Sequence, residues 1–92
     1  MAVAPIVDYI LTDHATRELR RRGLDKQDVE DVLRNPGQCL DVRPGRVVLQ
    51  SKAQHGETEY LLRIFIDIDR NPAEVVTAYR TSKVVKYWRN QP

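Results

Sequence analysis

Residues Glu59–Asp69, EYLLRIFIDID, carry the clearest alternation in the chain. Tyr60, Leu62, Ile64, Ile66 and Ile68 form one apolar face, and Leu61, Arg63, Phe65, Asp67 and Asp69 form a mixed one. Period-two patterning of this length demands a strand with one face buried. A lone strand cannot bury that face, so the rest of the chain must supply partner strands and a cover.

The partners are legible on both sides. Arg46–Gln54 alternates Val47, Leu49, Ser51 and Ala53 against Arg46, Val48, Gln50 and Lys52. His55-Gly56-Glu57-Thr58 reads as the hairpin loop between the two strands, with His55 a turn residue. Upstream, Gln38–Arg43 is a strand and Pro44-Gly45 a turn. Downstream, Arg70-Asn71-Pro72 turns the chain into a strand over Glu74–Arg80. The cover comes first in sequence. Thr12 or Asp13 is an N-cap for a helix over Asp13–Arg22, stopped by Gly23, with a thin apolar stripe of Ala15 and Leu19. Asp25 caps a second helix over Lys26–Arg34, with Val29, Val32 and Leu33 inward and the pairs Lys26–Glu30 and Glu30–Arg34 outward. Asn35-Pro36-Gly37 ends it. Met1–Pro5 reads as a lead-in, Ile6–Leu11 as a starter strand, and Val84, Val85 and Trp88 as a C-terminal helical segment. The order β-α-α-β-β-β-β-α predicts an α+β domain over residues 1–92, its two N-terminal helices packed on one face of an antiparallel sheet.

Ninety-two residues support one core, and net charge is only +2. The distribution is uneven: Val75–Pro92 holds Arg80, Lys83, Lys86 and Arg89 and no Asp or Glu, so this segment carries +4 and the remainder about −2. A single cysteine, Cys39, forms no internal disulfide, and no zinc spacing is present. The N-terminus lacks the basic start of a signal peptide, and no apolar run has a bilayer-spanning length. The expectation is a cytoplasmic protein without a membrane segment.

The cationic joint in Val75–Trp88, VVTAYRTSKVVKYW, is suited to phosphate. Arg80 ends a strand with a fork that binds phosphate bidentately, or else pairs with a carboxylate such as Asp67 or Asp69. Thr81 and Ser82 are placed to cap the following helix, and Lys83 and Lys86 add charge. Tyr79 alternates away from Arg80. Tyr87 and Trp88 read as packing or partner contacts before base stacking. His14, Glu18 and Arg21 fall at i, i+4 and i+7 on the first helix, a polar row beside its core stripe. Histidine suits proton transfer near neutral pH; here it moves a proton or simply packs at the helix start. Arg20-Arg21-Arg22 reads as a solvated face before a contact to RNA backbone, and Asp67 and Asp69 as strand-end solubility or as partners of Arg63 and Arg70 rather than metal ligands.

Thr12-Asp13-His14-Ala15, Arg21-Arg22-Gly23-Leu24, Asn35-Pro36 and VVTAYRTSK together resemble the small toxin-like domains of the RelE/ParE superfamily, in particular its BrnT-like branch. The resemblance runs from about Tyr9 to Trp88 and is most specific in the first helix and last strand. It implies a metal-independent endoribonuclease fold, one half of a toxin–antitoxin pair, with RNA or ribosome-bound mRNA and a cognate antitoxin as partners. It allows a homodimer and calls for no cofactor or metal. In such chemistry the ribose 2′-OH attacks the adjacent phosphate, a base takes its proton, an acid protonates the leaving 5′ oxygen, and cations stabilise the phosphorane. His14, Glu18, Arg80 and Lys83 are the catalytic candidates; Arg21, Thr81, Ser82 and Lys86 are the phosphate-binding ones. The alternatives are a non-catalytic protein-binding module of the same fold and, as in the ParE branch, an inhibitor of gyrase.

Overall fold

A computed structural model describes residues 5–90; most of the Met1–Pro5 lead-in lies outside them. The elements run β1 (Tyr9–Leu11), α1 (Asp13–Arg21), α2 (Lys26–Arg34), β2 (Gln38–Arg43), β3 (Arg46–His55), β4 (Thr58–Asp67), β5 (Ala73–Thr81) and α3 (Val84–Tyr87). The result is a compact α+β fold around one five-stranded sheet ordered β1-β5-β4-β3-β2. The sheet is mixed. β2 to β5 form the expected antiparallel meander, but β1 lies parallel to β5, pairing Tyr9 with Ala73 and Leu11 with Val75. The reason is connectivity: α1, α2 and three strands separate β1 from β5, so no hairpin constrains their direction.

The apolar face of β4 is buried as its alternation requires. Leu62, Ile64 and Ile66 pack with Val47 and Leu49 of β3, Val75 and Ala78 of β5, Ala15 and Leu19 of α1, and Val29, Val32 and Leu33 of α2. Thr12 caps α1, its Oγ1 accepting from Ala15 N at 3.0 Å. At the other end Gly23, with φ of 70°, turns the chain. Leu24 N donates to Leu19 O at 2.9 Å and Gly23 N to Arg20 O at 3.3 Å, which satisfies the last carbonyls of the helix. Asp25 and Asp28 form a capping box on α2.

Several boundaries differ from the sequence reading. Strand pairing begins at Tyr9, not Ile6, because Ile6 N donates instead to Leu33 O at 2.8 Å. His55 ends β3 rather than lying in the loop, since a two-residue turn suffices where Gly56 takes φ of 63°. β4 stops at Asp67; Ile68 is half exposed and its N–H donates to Gly45 O at 2.9 Å. Outward on α2, Glu30–Arg34 is an ion pair at 3.0 Å. No helix among the described residues is long and apolar enough to cross a membrane.

Candidate anion-binding face

The helix side of the sheet holds four of the residues singled out from the sequence, His14, Glu18 and Arg21 of α1 and Arg80 of β5. His14 is exposed in the first turn of α1. Glu18 is held by two arginines, Arg21 Nε at 2.8 Å and Arg22 Nη2 at 3.1 Å. Its hydrogen bond from Arg21, reinforced by the charges of Arg21, Arg22 and His14, lowers its pKa to about 2. A carboxylate this acidic accepts a proton poorly at neutral pH. Arg80 is exposed on the same sheet face as Ala78, its guanidinium 5.3 Å from the Tyr60 ring. No ion pair joins it to Asp67 or Asp69. Asp67 instead takes Arg46 at 2.6 and 3.1 Å, with Arg70 at 4.0 Å.

His14 and Arg80 are not brought together. The N–H of Thr12, just before α1, donates to Val75 O at 3.1 Å. From the other end of the helix Arg22 Nη1 donates to Ala78 O at 2.7 Å. Arg80 lies past that carbonyl, five residues beyond Val75, about 16 Å along an extended strand. The two side chains therefore stand at opposite ends of α1. Nor do Thr81 and Ser82 cap α3. Thr81 Oγ1 accepts from Lys83 N at 3.1 Å, a local turn, and Lys83 occupies the cap position without a side-chain bond. One turn of helix presents too few oriented N–H groups to act as an anion site.

The opposite face of the sheet has a denser arrangement. Arg63 projects from β4 between Leu61 and Phe65. Its Nε donates to Gln50 Oε1 at 2.9 Å and its Nη1 to the Tyr79 hydroxyl at 2.7 Å. The guanidinium lies 4.3 Å from the Tyr87 ring centroid, 5.3 Å from Phe65 and 5.7 Å from Tyr79. Among the described residues no carboxylate pairs with it, and its Nη2 makes no hydrogen bond. Gln50 is fully buried. Its Nε2 donates to Gln38 Oε1 at 2.7 Å and to Tyr87 O at 3.1 Å, so it ties Arg63 to the C-terminal segment. Gln38 continues the chain, accepting from Arg89 N at 3.1 Å and donating to Arg89 O.

Tyr87 gains acidity here. The Tyr79 hydroxyl, and then the Lys86 charge, lower its phenol pKa from the ordinary value. Lys52 Nζ lies 4.6 Å from the Trp88 ring and Lys86 Nζ 5.2 Å from the Tyr87 ring. Arg22 joins the two faces. Besides Glu18 and Ala78 O it reaches within 5.9 Å of the Tyr79 ring, around the edge of β5 that the short β1 leaves uncovered. It is thus not part of a solvated helix face, unlike exposed Arg20.

The sequence profile of the family described as "Domain of unknown function (DUF4258)" matches residues 11–86, most of the chain. The chain belongs to the DUF4258 family. No curated protein and no solved structure matches it. The DUF4258 match takes in Gln38, Gln50, Arg63 and Tyr79, and it ends one residue before Tyr87. In this DUF4258 chain the sequence reading missed Arg63, Gln50, Gln38 and Arg22. The available signal was a polar residue at the middle of the second face on both β3 and β4, Gln50 and Arg63, which the register places opposite each other. Among the described residues no cluster of three or more His, Cys, Asp or Glu is arranged to hold a metal.

Proposed function

We propose that this chain is a metal-independent endoribonuclease of RelE/ParE type, with the sheet and its two helices in the RelE-like arrangement. We place it as the toxin of a toxin–antitoxin pair. One observation carries the reading: Arg63 keeps an uncompensated charge on a face furnished with two tyrosines and flanking lysines. A guanidinium without a carboxylate partner is a natural holder for a phosphodiester. In this scheme Arg63 stabilises the phosphorane as the 2′ oxygen bonds to phosphorus and the 5′ oxygen leaves. Tyr87, its phenol more acidic than usual, is placed for proton transfer. Lys52 and Lys86 supply charge for neighbouring phosphates.

The separation of His14 from Arg80 favours this face over a site built on His14, Glu18, Arg80 and Lys83. It also favours a second reading, in which the fold is a protein-binding module without catalysis. End-labelled RNA incubated with the protein, with and without ribosomes, separates the two. The nuclease yields fragments ending in a 2′,3′-cyclic phosphate, and its expression without a partner arrests growth. Intact RNA under both conditions favours the binding module.

A further inference from the structure

We propose that Gln50 is a positioning residue that holds Arg63 through a neutral oxygen, so that the guanidinium keeps its full charge for one phosphate group. The inference rests on the reading that this face takes a phosphate, and it assigns the residue that makes the face receptive. A buried acceptor for an arginine Nε is most simply a carboxylate, which adds charge-assisted strength to the bond. Asp67 fills that role for Arg46 on the same face of the same strand pair. At Arg63 the acceptor is an amide oxygen at 2.9 Å.

The amide is fixed in its orientation. Both of its hydrogens are used, on Gln38 Oε1 and Tyr87 O, so the oxygen is the atom left facing Arg63. Burial and three hydrogen bonds leave Gln50 no alternative rotamer of similar energy. The second acceptor, the Tyr79 hydroxyl, is also neutral. Arg63 is therefore aimed by two uncharged groups, and its Nη2 edge remains for an incoming anion.

The test uses inorganic phosphate as the probe and the Arg63 Nε–Hε resonance as the readout, in the full-length protein carrying Gln50→Met or Gln50→Glu. Both variants lose the amide's contacts to Gln38 and Tyr87; Gln50→Met also loses the acceptor for Arg63 Nε, which Gln50→Glu keeps in charged form, so weaker binding by Gln50→Glu, whose guanidinium is the better held, reads the charge. The wild type is expected to show a saturable shift at Arg63. Gln50→Met, which frees the guanidinium but leaves its charge, is expected to bind severalfold more weakly. Gln50→Glu, which places a carboxylate against Arg63, is expected to bind at least tenfold more weakly than Gln50→Met. The proposal is overturned if the wild type shows no saturable shift, if Gln50→Met equals the wild type, or if Gln50→Glu binds as well as Gln50→Met. RNA cleavage is scored separately. A protein that follows this order without cutting RNA retains the neutral clamp and loses the nuclease reading; one that cuts RNA without following it does the reverse.

Discussion

At the residue scale, two positions link local geometry to a measurable property. A Cβ added at Gly37 would stand 2.8 Å from Trp88 Cη2 and 3.1 Å from Gln50 O. The bare glycine is what lets the Cη2 and Cζ3 end of the indole approach the backbone entering β2. Gly37→Ala is expected to cost about 1–3 kcal/mol, the usual range for overpacking, and to shift the emission of Trp88, the single tryptophan of the chain. Unchanged emission and melting temperature would show that Trp88 is not docked there. Asp67 is the second position. Its hydrogen bond from Arg46 holds its carboxyl below the ordinary value, as Arg21 holds Glu18 near 2. Both groups bind fewer protons folded than unfolded. Their contribution to stability is therefore complete above the unfolded carboxylate range, about pH 5, and is lost as pH falls through the folded values. Urea midpoints measured from pH 7 to pH 2 are expected to fall with acidity. Asp67→Asn is expected to flatten that slope and to cost about 2 kcal/mol at neutral pH, since it leaves Arg46 without its counter-charge. An unchanged slope would contradict the pairing.

At the element scale, the chain wrote its punctuation plainly. Thr12, Gly23, Asp25 and Pro36 mark helix ends by chemistry that acts over three or four residues, and the structure places the ends of α1 and α2 within a residue of where those signals put them. Gly23→Ala, which forces φ of 70° on a residue with a Cβ, is expected to lower stability by about 1 kcal/mol. A melting temperature equal to wild type would show that the turn is not under that constraint. What local chemistry does not encode is which strands meet. The parallel pairing of β1 with β5 depends on how α1 packs across the sheet, and nothing within Tyr9–Leu11 specifies it. The candidate site was hidden for the same reason. Arg63 and Gln50 are 13 residues apart and meet only through the β3–β4 register, while Tyr87 arrives from a one-turn helix that Gln38 and Gln50 hold down. The joint around Arg80 stood out in the sequence because its cations fall close together with no acidic residue among them, yet Arg80 emerges beside Tyr60 on the other face.

At the scale of the whole molecule, the sheet separates two tasks. One face is closed by α1 and α2 and makes the core. The other carries Arg63, Gln50 and the tyrosines under a cover of only four helical residues, α3. Binding of single-stranded RNA to this second face is expected to weaken with salt, each neutralised phosphate contributing about −0.7 to the slope of log K against log salt. Arg63→Gln is expected to reduce the steepness by about that amount, whereas His14→Ala, at the far end of α1, leaves it unchanged. Equal slopes for wild type and Arg63→Gln would place the phosphate elsewhere.

The most direct test of the central claim is a cleavage assay on end-labelled RNA, with and without ribosomes, comparing wild type, Arg63→Gln and Arg80→Ala after each is shown to be folded. Cyclic-phosphate fragments are expected from the wild type, with a loss of about a hundredfold or more for Arg63→Gln and a small change for Arg80→Ala. A folded Arg63→Gln protein that cuts RNA at the wild-type rate would contradict that claim.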